Sequence, residues 1–455
     1  MESAAGTNEK VGFTPWRPFG MLKEKVAAVG AKLGKIGRDD PRRILHSFKV
    51  GLALTLISIF YYVNPLFRGL GSSTMWAVLT VVVVMEYTVG GTFSKGLNRA
   101  FATLLAGAFG LGAHQLAALA GNRGEPILLS VFVFVLAAMA TFSRFVPEIK
   151  ARYDYGVTIF ILTFSLVAVS SYRVDELIKL AHQRLSTIAI GVATCIATSI
   201  FVFPVWAGED LHKLVALNLD KLACFLEGLE NEYFRQKITG ENLKGKSFLQ
   251  SYKSVLNSKA TEDSLANFAR WEPAHGRFSF RHPWKQYLKV GAVIRQCSCS
   301  IEALNAFIST ASQSQPLNSY QTITDEEFVE KVQDACAVMS SETGKALAEL
   351  ASAIRETKWP SAAMPHFAKA KVAAGGLKAL VPSEDASLPE VLMSATTASL
   401  LSEVVQCASD VATAVEELGH LAGFKKPEHA HKVGAINPVA GEDSQPHVVV
   451  DITDK

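Results

Sequence analysis

The chain has 455 residues, enough for two or three domains, and 49% of them are hydrophobic while only 19% are charged. A net charge of +3, without a basic stripe carrying interleaved aromatic residues, argues against nucleic acid as a partner. The apolar residues are concentrated between residues 44 and 206, which predicts an integral membrane half followed by a soluble half.

The N-terminal half contains six apolar segments that qualify, or nearly qualify, as transmembrane helices, which need about 17–25 residues. They are 44–63, 73–90, 97–119, 126–143, 155–171 and 183–203. Short connections rich in Pro, Gly and Asn separate them, and Pro204 follows the last one. A buried helical core in a soluble protein is the alternative, but six such segments in succession favour spans of a lipid bilayer.

The distribution of basic residues predicts the orientation of these spans. One side carries most of them, namely Lys32, Lys35, Arg38, Arg42, Arg43, Lys95, Arg99, Arg144, Lys150 and Arg152. The opposite connections hold Arg68, Arg123, Arg173 and Lys179. We therefore expect both chain ends in the cytosol. The six cysteines, which form no CxxC motif, agree with reduced thiols in that compartment.

After residue 206 the pattern changes to amphipathic helices, with apolar residues three and four positions apart. Later helices are predicted over 326–356 and 389–422, and alternation typical of β-strands is nearly absent. The sequence therefore predicts an all-α membrane protein with six transmembrane helices followed by a cytosolic α-helical bundle domain. The predicted parts are a basic N-terminal segment, the pore domain, the bundle and a flexible tail, at 1–43, 44–206, 207–424 and 425–455.

Ionisable groups at membrane depth are candidates for an ion pathway, because burying them is costly unless they are paired or hydrated. The cations are Lys49, Lys95, Arg99 and Arg184. An excess of such cations admits anions and rejects cations. For Lys95 and Arg99, snorkelling side chains that anchor the helix are an equally good interpretation.

Two further polar groups lie in the apolar half and have structural interpretations. Glu86, near the end of the predicted second span, is expected to form an ion pair with Lys95, Arg99 or Lys49. His114, toward the outer end of the third span, is expected to be a packed and hydrogen-bonded histidine.

No motif of an enzyme is present: the sequence has no P-loop, nucleophile elbow, paired catalytic carboxylates or metal-ligand cluster. Cys297 and Cys299 lie on a periodic helix, and the group of Glu428, His429 and His431 lies in the predicted tail. We expect neither catalysis nor a cofactor or bound metal.

Several short motifs occur in a characteristic order. They are Asp40-Pro41-Arg42-Arg43, Met75-Trp76-Ala77-Val78, Lys95-Gly96-Leu97-Asn98-Arg99, Gly112-Ala113-His114-Gln115-Leu116, Asp154-Tyr155-Gly156, Phe203-Pro204-Val205-Trp206-Ala207-Gly208, Trp271-Glu272-Pro273 and Arg281-His282-Pro283-Trp284-Lys285. This set, from about residue 40 to 310, resembles the aluminium-activated malate transporter family of plants.

The resemblance implies an anion channel that passes malate and often chloride, nitrate or sulfate. It also implies a homodimer with six spans per subunit around a shared pore. The family's pore arginines correspond to Arg99 and Arg184, which favours a pore role over anchoring for Arg99. In the soluble half, Trp271-Glu272-Pro273 is expected to support gating or domain docking without touching the permeating ion.

The sequence departs from the aluminium-responsive pattern, since a hard trivalent cation requires oxygen ligands. The first outer loop, 64–71, has no acid and contains Arg68. The third outer loop keeps Asp175 and Glu176, but Lys179 replaces another acid. The resemblance therefore implies a member not activated by aluminium, gated by voltage and anions like the quick-activating anion channels.

Three alternatives remain at this stage. The plasma membrane is the expected location, with the vacuolar membrane as the alternative. A secondary organic-anion carrier or exchanger would be favoured by inverted repeats, and no convincing one is apparent. A membrane-anchored signalling scaffold would use only the soluble half.

Overall fold

The computed structural model describes residues 17–62, 75–169, 174–234, 248–314, 326–377 and 388–426. Within these ranges the protein is built from helices and loops, and no β-strand occurs. The predicted all-α class is therefore confirmed for the described part of the chain. The predicted tail at 425–455 lies almost wholly outside it.

The helices fall into two compact units along the chain. The first unit takes the described residues up to Val215 together with Leu256–Arg295, and the second takes Ala216–Val255 and the described residues from Gln296 onward. The helices before residue 207 are α1 Arg17–Asp39, α2 Pro41–Tyr62, α3 Met75–Val84, α4 Val89–Ala118, α5 Gly121–Ser143, α6 Pro147–Val169 and α7 Val174–Phe201. Those after it are α8 Ala207–Leu229, α9 Phe248–Ser251, α10 Lys253–Leu256, α11 Lys259–Ala269, α12 Trp284–Ser314, α13 Glu326–Glu356, α14 Ala363–Leu377 and α15 Leu388–Ala422.

Local sequence explains where several of these helices begin. Pro41 and Pro147 are the first residues of α2 and α6, where the missing N–H costs nothing and the fixed φ suits a helix. Thr88 caps α4, because its side-chain oxygen accepts a hydrogen bond of 3.1 Å from the Gly91 N–H. α7 ends shortly before Pro204, which cannot continue a helix.

Five described helices are long and apolar enough to cross a membrane, by length and composition. Four of them correspond to the predicted third to sixth spans: Val89–Ala118, Arg123–Ser143, Pro147–Val169 and His182–Phe201. The fifth, Val391–Ala422, lies in the second unit, on the helix predicted at 389–422 as part of the cytosolic bundle. It packs there against α13 and α14.

The first two predicted spans do not correspond to any of these five helices. The segment 44–63 falls on α2, which carries Arg42, Arg43 and Lys49 and is not among the five helices. The predicted second span, 73–90, is wrong at its end, because α3 has only 10 residues and the chain is not helical over 85–88. The six-span arrangement and the domain boundaries therefore stay predictions.

In the first unit, α4 and α6 form the central helix pair, flanked by α5 and α7. An apolar cluster joins α4, α5 and α6 through Ala106, Ala113, Leu129, Phe164 and Ala168. A second cluster joins α2, α3 and α7. In the second unit, α13 is central and contacts both α14 and α15.

Close packing of α4 against α6 depends on a small residue at Gly110. A Cβ atom there would lie 2.5 Å from Cγ1 of Val167, a β-branched side chain that has little freedom to move. Gly107, one turn earlier on the same helix, has nothing within 4 Å of the corresponding position. The two glycines therefore provide a matched pair.

We expect Gly110→Ala to lower the free energy of unfolding by about 1–3 kcal/mol through overpacking against α6. Gly107→Ala should be neutral or should gain up to about 1 kcal/mol, because alanine is the better helix former. Thermal unfolding of the detergent-solubilised protein measures both. Equal midpoints for the two variants would show that α4 and α6 do not approach as closely as described.

Candidate functional site

Two arginines from distant parts of the sequence line one cavity in the first unit. Arg99 lies on α4 and Arg184 on α7, and both face a narrow space also bordered by Trp76 of α3. The remaining lining residues are Thr103, Ile159, Leu162, Thr163, Leu166 and Ile188. None of the described residues around this cavity is acidic, so the guanidinium charges are not neutralised by a carboxylate on its wall.

The contacts of the two guanidinium groups leave part of their donor capacity free. Arg99 is 3% exposed, and its Nη1 donates a hydrogen bond of 3.1 Å to the hydroxyl of Tyr155. The guanidinium carbon of Arg184 lies 4.6 Å from the centre of the Trp76 ring, a cation–π contact. Within the described structure, the buried Nε atoms of both arginines have no hydrogen-bond partner. An anion entering the cavity would meet donors that nothing else occupies.

The cavity in one subunit is small. Its free volume is about 10 Å³, which corresponds to roughly one water molecule. Thr103 and Thr163 add buried hydroxyl groups to its wall, and in the described part of the chain the Thr103 hydroxyl has no partner. A dicarboxylate therefore does not fit between the arginines of a single subunit in this conformation.

The other predicted charges lie outside this cavity. Lys95 forms an ion pair with Glu86, and its Nζ lies 5.7 Å from the centre of the Tyr155 ring. Glu86 belongs to the non-helical stretch 85–88 and not to a span, because α3 ends earlier than predicted. Lys49 on α2 is 1% exposed and makes no ion pair with another described residue.

His114 is held inside the helix bundle. Its Nε2 lies 3.2 Å from the backbone oxygen of Val167, and its Nδ1 lies 3.8 Å from a carboxylate oxygen of Glu125. The side chain is buried. These contacts account for it as a packed, hydrogen-bonded group.

Glu272 joins the start of two helices. Its carboxylate accepts hydrogen bonds from the N–H groups of Ala207 at 2.6 Å and Gly208 at 3.0 Å, in the first turn of α8. It also accepts one of 3.3 Å from the N–H of Gly90, in the first turn of α4. Helix N-termini carry a partial positive charge and favour an anion, so a single carboxylate satisfies donors of both helices.

The packing around Glu272 explains why Trp271, Pro273 and Gly208 occur at their positions. Trp271 and Glu272 complete the last turn of α11 through their backbone N–H groups, and Pro273 prevents its continuation. A Cβ atom on Gly208 would overlap the ring of Trp284, so only glycine fits at this first turn of α8. Burial raises the pKa of Glu272, whereas the backbone N–H donors and His275 oppose this rise.

The predicted site residues are therefore divided between two places. Arg99 and Arg184 share a cavity, whereas Glu272 lies at the helix ends and does not line that cavity. Sequence reasoning did not assign roles to Tyr155, Trp76 and Thr103, which contact or surround the arginines. Tyr155 and Trp76 do occur in the family motifs, and this occurrence was the feature of the sequence that could have identified them as site residues.

The fold and these two arginines define a helical membrane protein with an electropositive cavity. A family model described as aluminium activated malate transporter matches residues 34–388. The chain is 53% identical over 433 residues to aluminum-activated malate transporter 1 of Triticum aestivum, covering 94% of this chain and 93% of that protein. It is 46% identical over 442 residues to aluminum-activated malate transporter 2 of Arabidopsis thaliana, covering 95% and 86%. The chain belongs to the aluminium-activated malate transporter family, a family of transporters.

We expect Glu272→Gln to lower the free energy of unfolding by about 2–3 kcal/mol, because the amide loses the charge and turns an NH₂ group toward backbone donors. The control is Glu209→Gln, which removes a solvent-exposed pair with Lys213 worth about 0.5 kcal/mol or less. Thermal unfolding midpoints in detergent compare the two. Equal midpoints would mean that Glu272 is already neutral in the folded protein.

Proposed function

We propose that this protein is an anion channel that conducts malate and inorganic anions, namely chloride, nitrate and sulfate, across a plant membrane. The observation that carries the proposal is the cavity shared by the buried Arg99 and the half-buried Arg184, which has no acid among the described residues that line it. The names of the relatives, malate transporters from two plants, support malate as the organic substrate.

The physical argument concerns charge in a medium of low dielectric constant. Placing a buried and a half-buried cation on one cavity without a counter-ion is costly, and an anion in the cavity would relieve that cost. Guanidinium groups bind carboxylates through two parallel hydrogen bonds, and the unpartnered Nε atoms of Arg99 and Arg184 are available for this. Conduction requires that binding stay weak enough for release, and the contacts with Tyr155 and Trp76 compete with the anion.

A homodimer is part of this proposal. The cavity of one subunit holds about one water molecule, whereas malate is larger, so a pore assembled from two copies offers more space and four arginines. Lys49, which is buried without an ion pair to another described residue, would add positive potential along the pathway, whereas Glu86 offsets the charge of Lys95 until that ion pair opens. We place both chain ends in the cytosol because of the distribution of Lys and Arg. On the family resemblance, we place the protein in the plasma membrane rather than the vacuolar membrane.

We propose that voltage and anions gate the channel through the elements that hold the start of α4. Glu272 holds the first turn of this helix, and Arg99 lies about two turns further along it. A change at the Trp271-Glu272-Pro273 segment would therefore shift the arginine without contact between Glu272 and the ion. Glu86 and its ion pair with Lys95 lie beside the same first turn.

Arg99→Ala and Arg184→Ala should each reduce malate and chloride current by about tenfold, corresponding to about 1.4 kcal/mol of lost ion stabilisation. Voltage clamp of the expressed protein, with anions exchanged on each side, measures this. Arg123→Ala, which removes an exposed arginine at the start of α5, is the matched control and should retain current. Arg99→Lys keeps the charge without the two-pronged geometry and should retain part of the current.

The same recordings separate the alternatives. A carrier or exchanger would give transport without single-channel openings. A signalling scaffold would leave its function unchanged in both arginine variants. Unchanged current in Arg99→Ala and Arg184→Ala, with normal surface expression, would contradict a pore role for this cavity.

External aluminium at acid pH should not raise the current. The first outer loop, 64–71, has no carboxylate, and Lys179 places a positive charge close in sequence to Asp175 and Glu176. Residues 64–71 and 171–173 lie outside the described residues, so this expectation depends on sequence alone. The measurement is whole-cell current before and after aluminium addition, with lanthanum as a control for non-specific trivalent effects. A several-fold rise specific to aluminium would contradict it.

A further inference from the structure

A second cavity lies on the opposite side of α4 from the arginines. Its volume is about 510 Å³, within the range of about 300–1,000 Å³ typical of ligand sites. On α4 it is lined by Asn98, Phe101, Ala102 and Leu105, whereas Arg99 and Thr103 face the arginine cavity. Residues of α5, α6 and Trp271 complete its wall.

The wall of this second cavity favours an apolar occupant. Two of its few polar side chains already have partners: Asn98 donates to the backbone oxygen of Arg152 at 3.0 Å, and Ser143 donates to that of Ala140 at 2.7 Å. The remaining surface is mostly aromatic and aliphatic. Phe101 and Leu105 are 64% and 53% exposed on a helix of membrane-spanning length. The cavity therefore opens sideways, toward the hydrocarbon of a bilayer.

Basic residues adjoin this opening. Arg152 and Arg270 each directly precede a lining residue, Tyr153 and Trp271, and both are exposed. Neither forms an ion pair with any residue that the structure describes. Desolvation and, after it, the nearby charge of Arg152 lower the pKa of Arg270. Asn267, near the end of α11, donates a hydrogen bond of 2.9 Å to the backbone oxygen of Ala151, so the segments that carry Arg270 and Arg152 lie side by side. Neither arginine has a carboxylate partner among the described residues.

We propose that this cavity binds an anionic phospholipid, with an acyl chain between α4, α5 and α6 and the headgroup at Arg152 and Arg270. The apolar wall and lateral opening match the chain, and the unpaired arginines match the negative headgroup. The inner leaflet, on the side where we place these arginines, is the anionic one. The occupant would touch Asn98 and Trp271, the neighbours of Arg99 and Glu272, so lipid composition would influence the arginine cavity through α4.

The test uses the full-length protein in nanodiscs of phosphatidylcholine that contain a small fraction of phosphatidylserine with brominated acyl chains. Bromine quenches tryptophan fluorescence at contact, and Trp271 lines the cavity. Other tryptophans, such as Trp76 on the apolar helix α3, contribute quenching that rises with total brominated lipid. We expect an additional component that saturates with brominated phosphatidylserine and that Trp271→Phe abolishes. Brominated phosphatidylcholine at the same fraction should quench at least several-fold less.

Two sets of variants test the acyl-chain contacts and the headgroup contacts separately. Ala140→Leu fills the cavity and should weaken the saturable quenching several-fold, whereas Ala138→Leu, exposed on the same helix and outside the cavity, should not. Arg152→Gln and Arg270→Gln should each reduce the preference for phosphatidylserine by about fivefold. Arg123→Gln, at the other end of α5, should leave it unchanged.

The arginine variants change exposed side chains, so the test does not depend on whether Ala140→Leu folds. Equal quenching by both lipids, or a preference that survives Arg152→Gln and Arg270→Gln, would overturn the proposal. So would a saturable component of the quenching that Trp271→Phe leaves intact. Fluorescence quenching requires no ion current, and its outcome is therefore independent of whether the protein conducts anions.

Discussion

The carboxylate of Glu272 is the contact on which the arrangement of the first unit depends. It accepts hydrogen bonds from N–H groups in the first turns of α4 and α8, which are far apart in sequence. Glu272 itself lies just after the end of α11. Each helix start would otherwise bury donors without partners, at a cost of about 1–3 kcal/mol each. Its negative charge also faces the positive ends of both helix dipoles. This buried acid therefore holds the first turn of α4, the helix that carries Arg99.

The helix that begins at this acid lines two cavities that differ in size and in charge. One face of α4 presents Arg99 and Thr103 to a small cavity that Arg184 also lines, and another presents Phe101 and Leu105 to a larger cavity with no charged residue among the described residues of its wall. α6 also contributes to both walls. Small residues such as Gly110 allow the two helices to pack tightly. A displacement of this pair would alter both cavities together, because packed helices shift as rigid elements and not residue by residue.

Much of the fold was accessible from sequence, since hydrophobic length and periodicity are local properties. The helices at 326–356 and 389–422 were predicted within one residue of their observed bounds, whereas the predicted third and fifth spans begin eight residues after α4 and α6 do. The end of α3 was not predicted correctly, because the apolar run continues into the non-helical stretch 85–88. There Glu86 and the Thr88 cap interrupt the helix. The long apolar α15 shows the converse limit, since composition alone does not distinguish a membrane span from a buried helix of a bundle.

The sequence by itself determined the family, the helical class and the identity of the buried cations, because motifs, hydropathy and charge can be read along the chain. The charge pattern alone supported an anchoring role and a pore role for Arg99 equally, and the family resemblance favoured the pore role. Only the tertiary structure decided that Arg99 and Arg184 share a cavity, that Tyr155 and Trp76 hold them, and that Glu272 spans two helix starts. These juxtapositions join residues up to 182 positions apart, as in the Gly90–Glu272 hydrogen bond. No local pattern specifies such contacts, because they arise from how the helices pack.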